Sequence, residues 1–184
     1  MTLHFLRDLL HAVLLLLSFS VTAANQTNLL SVNVGYGPQP SADVNQRNYT
    51  VGLDYEFYRY KRSAKQWLSL GVGYSYVGTD YEHNRSLHAV SVYPQLTLLA
   101  EPYGEFQPWF FVRALAPTYL SEKSLGTRNQ AKHFAFQAQV GAGVNHLPTN
   151  WMFALSYKHF SNANLYQPND GIDIPLVINL GKRF

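Results

Sequence analysis

The sequence predicts an all-β protein, an eight-stranded antiparallel transmembrane β-barrel, on three observations. From Phe134 to Val144 the even positions are Phe134, Phe136, Ala138, Val140, Ala142 and Val144, while the odd ones are Ala135, Gln137, Gln139, Gly141 and Gly143. That is a period of two, with one apolar face and one polar or tiny face. The same alternation returns in segments long enough for the roughly 9–11 residues of a tilted membrane strand. Composition agrees: of 184 residues only 14% are charged and 15% are aromatic, against about 25% charged in an average soluble domain.

The elements follow in chain order. Residues 1–23 read as a secretory signal peptide, with Arg7 near the start, an apolar run from Leu9 through Val21, and Val21-Thr22-Ala23 as the cleavage site. The run is shorter than the roughly 20 residues of a spanning helix. The expected organisation is therefore a cleaved leader over 1–23 and one barrel over 24–184. Strands are expected over 28–38, 47–60, 67–78, 86–100, 106–119, 132–146, 151–161 and 171–184. The second sets Val51, Leu53, Tyr55 and Phe57 against Gly52, Asp54 and Glu56; the third sets Leu68, Leu70, Val72, Tyr74 and Tyr76 against Ser69, Gly71, Gly73 and Ser75.

An even, closed antiparallel set satisfies every backbone donor and acceptor inside hydrocarbon, which open edges cannot do. The gaps near 61–66, 101–105 and 147–150 are short, and those near 39–46, 79–85, 120–131 and 162–170 are mostly longer, alternating as periplasmic turns and extracellular loops do. A soluble barrel of lipocalin type shows similar alternation but lines its interior with the apolar face. Here the expected interior includes Asp54, Glu56, Arg113, Gln137 and Gln139, which fits a polar lumen with charges paired across it. The terminal Phe184 and the tyrosine and tryptophan surplus suit an outer-membrane barrel.

Charge and composition exclude several classes. The net charge of +3, from 14 Lys and Arg against 11 Asp and Glu, is spread along the chain rather than gathered in a basic stripe, so nucleic acid is not a partner. With no cysteine there is no disulfide framework, thiolate metal site or cysteine nucleophile. The seven histidines show no metal-ligand spacing, so neither a metal nor a cofactor is expected. Any catalysis uses oxygen or imidazole chemistry.

Strand seven carries such chemistry. Its odd face reads Trp151, Phe153, Leu155, Tyr157, His159, Ser161, so an imidazole and a hydroxyl follow an apolar run in phase and face lipid. Residues two apart on a strand have Cα atoms roughly 6.5–7 Å apart, within reach for a His–Ser hydrogen bond. Nucleophilic catalysis needs such a bond, because imidazole takes the hydroxyl proton and later returns it to the leaving group. The alternative is a pair of rim polar residues on a non-catalytic structural or adhesion barrel.

His159 through Asp173 reads HFSNANLYQPNDGID. This stretch resembles the lipid A 3-O-deacylase family of outer-membrane barrels, whose site has a His-aromatic-Ser-Asn-Ala segment followed by Gln-Pro-Asn-Asp-Gly-Ile and an acid. The resemblance implies that Ser161 is the nucleophile, His159 the general base and then acid, and Asp173 the group orienting the imidazole, with Asp170 as the fallback acid. The family pattern has glutamate at position 173, about 1.5 Å longer than aspartate. An oxyanion hole of Asn162 and a backbone donor at Asn164 is also implied, although the family has glycine at that last position. Asparagine tolerates positive φ better than most residues.

Parity sets Asp173 apart. Ile172, Ile174, Leu176, Ile178 and Leu180 share one apolar face, which turns Asp173 toward the lumen unless Pro175 marks a bulge near 173–175. The resemblance implies an enzyme that removes the ester-linked acyl chain at the 3 position of lipid A, the lipid of lipopolysaccharide, from the extracellular leaflet of the outer membrane. Lys158, Lys123 and Arg128 are candidates for the lipid phosphates, or else interfacial and loop charges. A homodimer is left open.

Overall fold

The computed structural model describes residues 28–40 and 42–184, so the expected leader over 1–23 lies outside the described residues. Ten strands appear in chain order: β1 Leu29–Pro38, β2 Arg47–Ser63, β3 Gln66–Thr79, β4 Ser86–Leu99, β5 Phe106–Leu120, β6 Ser124–Leu125, β7 Arg128–Asn129, β8 Phe134–His146, β9 Trp151–Ser161 and β10 Ile172–Arg183. Eight of them close into an antiparallel barrel in the order β1, β10, β9, β8, β5, β4, β3, β2. The other two, β6 and β7, form a small ribbon inside the connection between β5 and β8, where the sequence reads only as a long loop.

The barrel is inside-out relative to a soluble protein. Val34, Tyr36, Leu68, Leu70, Val72, Tyr74, Val90, Val92, Phe153 and Leu155 are exposed on the outer wall. The inner wall is polar, and its charges are paired across the lumen. Arg113 donates to Asp54 Oδ2 at 3.2 Å and Gln95 Oε1 at 3.1 Å and lies over the Tyr93 ring, and Arg183 meets Glu56 at 2.8 Å. Each strand therefore buries its polar side, as the alternation requires, and leaves the apolar side for hydrocarbon.

Two apolar plugs cap this polar middle. At the end that carries the longer connections sit Val77, Leu87, Leu120, Leu125, Phe160, Ile172 and Ile174, and at the other end Leu29, Trp109, Phe111 and Met152. Both ends of the lumen are thus lined by buried apolar side chains.

Bulges break the period of two in β2, between Glu56 and Tyr58 and between Lys61 and Ser63, and again in β5 and β10. In β5 an extra residue between Arg113 and Ala116 puts Leu115 at φ 52° and shifts the buried positions from Trp109, Phe111 and Arg113 to Ala116, Thr118 and Leu120. In β10 the register shifts between Ile174 and Val177, so Pro175 and Leu176 together face Tyr157. Pro175 has no N–H to give a ladder, which is why the extra residue is accommodated there. The bulge corrects one assignment: Ile172 and Ile174 point inward, whereas Leu176, Ile178 and Leu180 point outward. Asp173, between two inward neighbours, is thereby turned to the outer wall beside His159.

Candidate active site on the outer wall

Strand β9 presents Tyr157, His159 and Ser161 on the outside while Ser156, Lys158 and Phe160 are buried inside. The neighbouring β10 supplies Asp173 directly opposite His159. His159 Nδ1 lies 2.6 Å from Asp173 Oδ1, with the imidazole 31% exposed and the carboxylate 8%. The pair is thus half open on the ring side and closed on the acid side.

A short acid reaches the ring for a reason in the backbone. The Asp173 N–H donates to Gln39 Oε1 at 3.0 Å, and its carbonyl accepts from Asn48 Nδ2 at 3.0 Å. Both main-chain groups therefore point away from β9, which makes Asp173 and His159 a non-hydrogen-bonded pair. In such pairs the Cα atoms approach to about 4.5 Å and the side chains are closest. The missing methylene is offset by register.

The carboxylate is held on every side. Oδ1 also accepts from the Tyr157 hydroxyl, and Oδ2 accepts from Gln39 Nε2 at 2.7 Å. On the opposite flank Gly171 underlies the imidazole: a Cβ there would lie 2.5 Å from His159 Cε1. The Gly171 carbonyl is itself fixed by Arg128 Nε at 3.0 Å and Gln39 Nε2 at 3.1 Å.

Ser161 ends β9, on the same face as His159 and opposite Phe136 of β8. Among the described residues its hydroxyl has no hydrogen-bond partner, so the His159–Ser161 bond expected from the sequence is not made in this structure. Catalytic hydrogen bonds commonly tighten only with substrate bound. The chain then turns sharply: Ala163 and Asn164 have φ of 54° and 59°, and Leu165 N donates to Asn162 O at 3.1 Å. Two consecutive positive φ values with that bond are the signature of a type I′ turn. Asn164 thus adopts the backbone that glycine would take, and its Oδ1 accepts from Asn169 Nδ2 at 2.9 Å.

Asn162 is wholly buried and works within this loop. Its N–H donates to Asn169 Oδ1 at 2.7 Å, and its side-chain amide donates to Tyr166 O at 2.9 Å and Pro168 O at 3.3 Å. Asp170 stands apart from the imidazole: its Oδ2 accepts from Asn129 N at 3.0 Å and its carbonyl from Gln130, which stitches the loop to β7. Lys158 corrects a sequence expectation. It is fully buried in the lumen, donating to Asn33 Oδ1 at 2.9 Å and Ser75 Oγ at 3.1 Å, out of reach of any external phosphate. Of the other two cations, Lys123 is exposed on the loop before β6 and Arg128 is the Gly171 clamp.

Four contributors escaped the sequence reading. Tyr157 and Gly171 had local signals, one in phase with His159 two residues earlier and the other immediately before the hairpin's return strand. Gln39 and Asn48 had none, because barrel closure alone brings them to Asp173.

Comparison with known proteins bears on the family and the fold. A 66-residue stretch is 35% identical to lipid A deacylase PagL of Bordetella bronchiseptica, spanning 35% of this chain and 36% of that relative. The barrel superposes on the crystal structure of the outer membrane enzyme PagL with a TM-score of 0.63, covering 85% of this chain and 99% of the other at 19% identity, a likeness of fold. The family model described as lipid A 3-O-deacylase (PagL) matches residues 47–182, from the first residue of β2 almost to the end of β10, a span that includes His159, Ser161 and Asp173 but not Gln39. The chain therefore belongs to the lipid A 3-O-deacylase (PagL) family of outer-membrane β-barrels.

Proposed function

We propose that this chain hydrolyses the ester-linked acyl chain at the 3 position of lipid A, with Ser161 as nucleophile, His159 as general base and acid, and Asp173 orienting the ring. The observation that carries the reading is the 2.6 Å contact between His159 Nδ1 and Asp173 Oδ1 on the lipid-facing wall, in phase with Ser161. With Nδ1–H donated to the acid, Nε2 keeps its lone pair for the serine proton.

The steps balance as an ester hydrolysis. Nε2 removes the Ser161 proton as Oγ bonds to the ester carbonyl, and the tetrahedral adduct collapses with the sugar oxygen leaving on that same proton. The acyl-enzyme is then attacked by water, whose proton passes to Nε2 and returns to Oγ as the free acid departs. Asn164 serves the oxyanion directly and Asn162 only indirectly, its own donors being engaged within the loop. Asn164 offers its main-chain N–H, which the I′ turn leaves unbonded among the described residues, and Asn162 holds that turn in place.

The site lies at the end of the barrel with the longer connections, which we assign to the extracellular leaflet. A substrate already embedded in that leaflet slides along the wall, its acyl chains against Phe153 and Leu155, and needs no cavity. Expression in a Gram-negative host with mass spectrometry of its lipid A tests this. Loss of one hydroxyacyl chain is expected, abolished by Ser161→Ala and by His159→Ala, since removing a triad member costs on the order of 10³–10⁶ in turnover. An unchanged lipid profile from a folded wild-type barrel would favour the structural or adhesion role.

A further inference from the structure

Beyond Tyr36, opposite Leu176, the ladder between β1 and β10 stops, because the bulge and the Pro175 ring part the two strands. The seam of the barrel is closed there by side chains. Gln39, just past the end of β1, is 5% exposed. Its Nε2 donates to Asp173 Oδ2 at 2.7 Å and to the carbonyls of Gly171 and Pro40, and its Oε1 accepts from the Asp173 N–H and from Asn48 Nδ2 at 2.6 Å. Asn48 is held in turn by Gln46, whose Oε1 accepts from the Thr127 N–H at 2.9 Å.

We propose that Gln39 is a positioning residue for the reaction: it acts through Asp173 and sets the angle at which the carboxylate meets His159. The inference rests on the function proposed above. Its physical basis is that a carboxylate rotates about its last bond unless both oxygens are tied. Tyr157 and His159 share Oδ1, and the only side-chain donor to Oδ2 among the described residues is Gln39. Without that donor Asp173 is free to present either oxygen, in or out of the ring plane, and the imidazole follows. A shorter acid than the family's glutamate depends more on such a clamp, since it has one torsion fewer with which to correct its aim.

Full-length protein refolded into bilayers carries the test. Gln39→Met keeps the volume and removes both polar ends, whereas Gln39→Glu keeps the shape and the acceptor but sets a carboxylate oxygen against Oδ2. Both are expected to lower kcat by roughly 10- to 100-fold, the scale of a misplacement of about 1 Å, with KM within about twofold of wild type. Both are also expected to displace the low-field proton NMR resonance of His159 Nδ1–H, identified by its loss in His159→Gln. Gln39→Asn withdraws the amide by about 1.5 Å and reads the same two quantities should Gln39→Met fail to fold. A folded variant that keeps the wild-type resonance, or keeps the wild-type kcat, overturns the inference. Activity surviving in Ser161→Ala would instead sink the nucleophile assignment, and the resonance would still decide the role of Gln39.

Discussion

Gly171→Ala isolates the geometry of the imidazole from its chemistry, because it alters no group that reacts. The added Cβ would sit 2.5 Å from His159 Cε1 and 3.3 Å from Nδ1. Restoring an ordinary contact of about 3.4 Å requires the ring or the hairpin to retreat by roughly 0.9 Å. The glycine carbonyl is tied to Arg128 and Gln39, so the half-exposed ring gives way more readily than the backbone. A displacement near 1 Å costs on the order of 10²-fold in turnover, or about 2.7 kcal/mol in the barrier. The assay is the initial rate of acyl release from lipid A in mixed micelles, with heat-modified mobility on electrophoresis as the check that the barrel has formed. A folded Gly171→Ala barrel turning over at the wild-type rate would refute the claim that this ring position is the working one.

Three further outcomes follow from the same contacts. Asp173→Asn should slow release less than Ser161→Ala or His159→Ala but more than Asp170→Asn, whose native carboxylate bonds the β7 backbone; the reverse order between the two aspartates, measured as kcat, would reassign the acid. Asp54→Ala leaves the Arg113 guanidinium inside the barrel with, among the described residues, only Gln95 and the Tyr93 ring, and should cost about 3 kcal/mol, the low end for breaking a buried pair, read as a lower urea midpoint. Lys158→Met should leave KM for lipid A within about twofold of wild type, because the ammonium faces the lumen; a large rise would place it at the substrate after all.

The fold was legible because a membrane barrel writes its two faces directly into the chain. The expected strand over 151–161 coincides with β9, and the expected interior residues Asp54, Glu56, Arg113, Gln137 and Gln139 are all buried. The misassigned face of β10 came where the period of two breaks. Ile172 and Ile174 look continuous with Ile178 on one face, yet a single extra residue at Pro175 puts them on the other, and only pairing partners reveal such an insertion. Leu115 hides the same event in β5, since a leucine at positive φ carries no sequence signal. In the site, the residues local to one hairpin were readable from spacing and resemblance. The seam that clamps Asp173 was not, because Gln39 and Asn48 are more than a hundred positions away in sequence and meet it only when the barrel closes.

Ser161 as the nucleophile is tested by peptide mapping after treatment of the bilayer-embedded protein with a long-chain fluorophosphonate, which bonds covalently to an activated serine hydroxyl. A single adduct on Ser161 is expected, lost in His159→Ala and weakened in Gly171→Ala. An adduct on another residue, or an unlabelled Ser161 in a preparation that still releases acyl chains, would contradict that assignment.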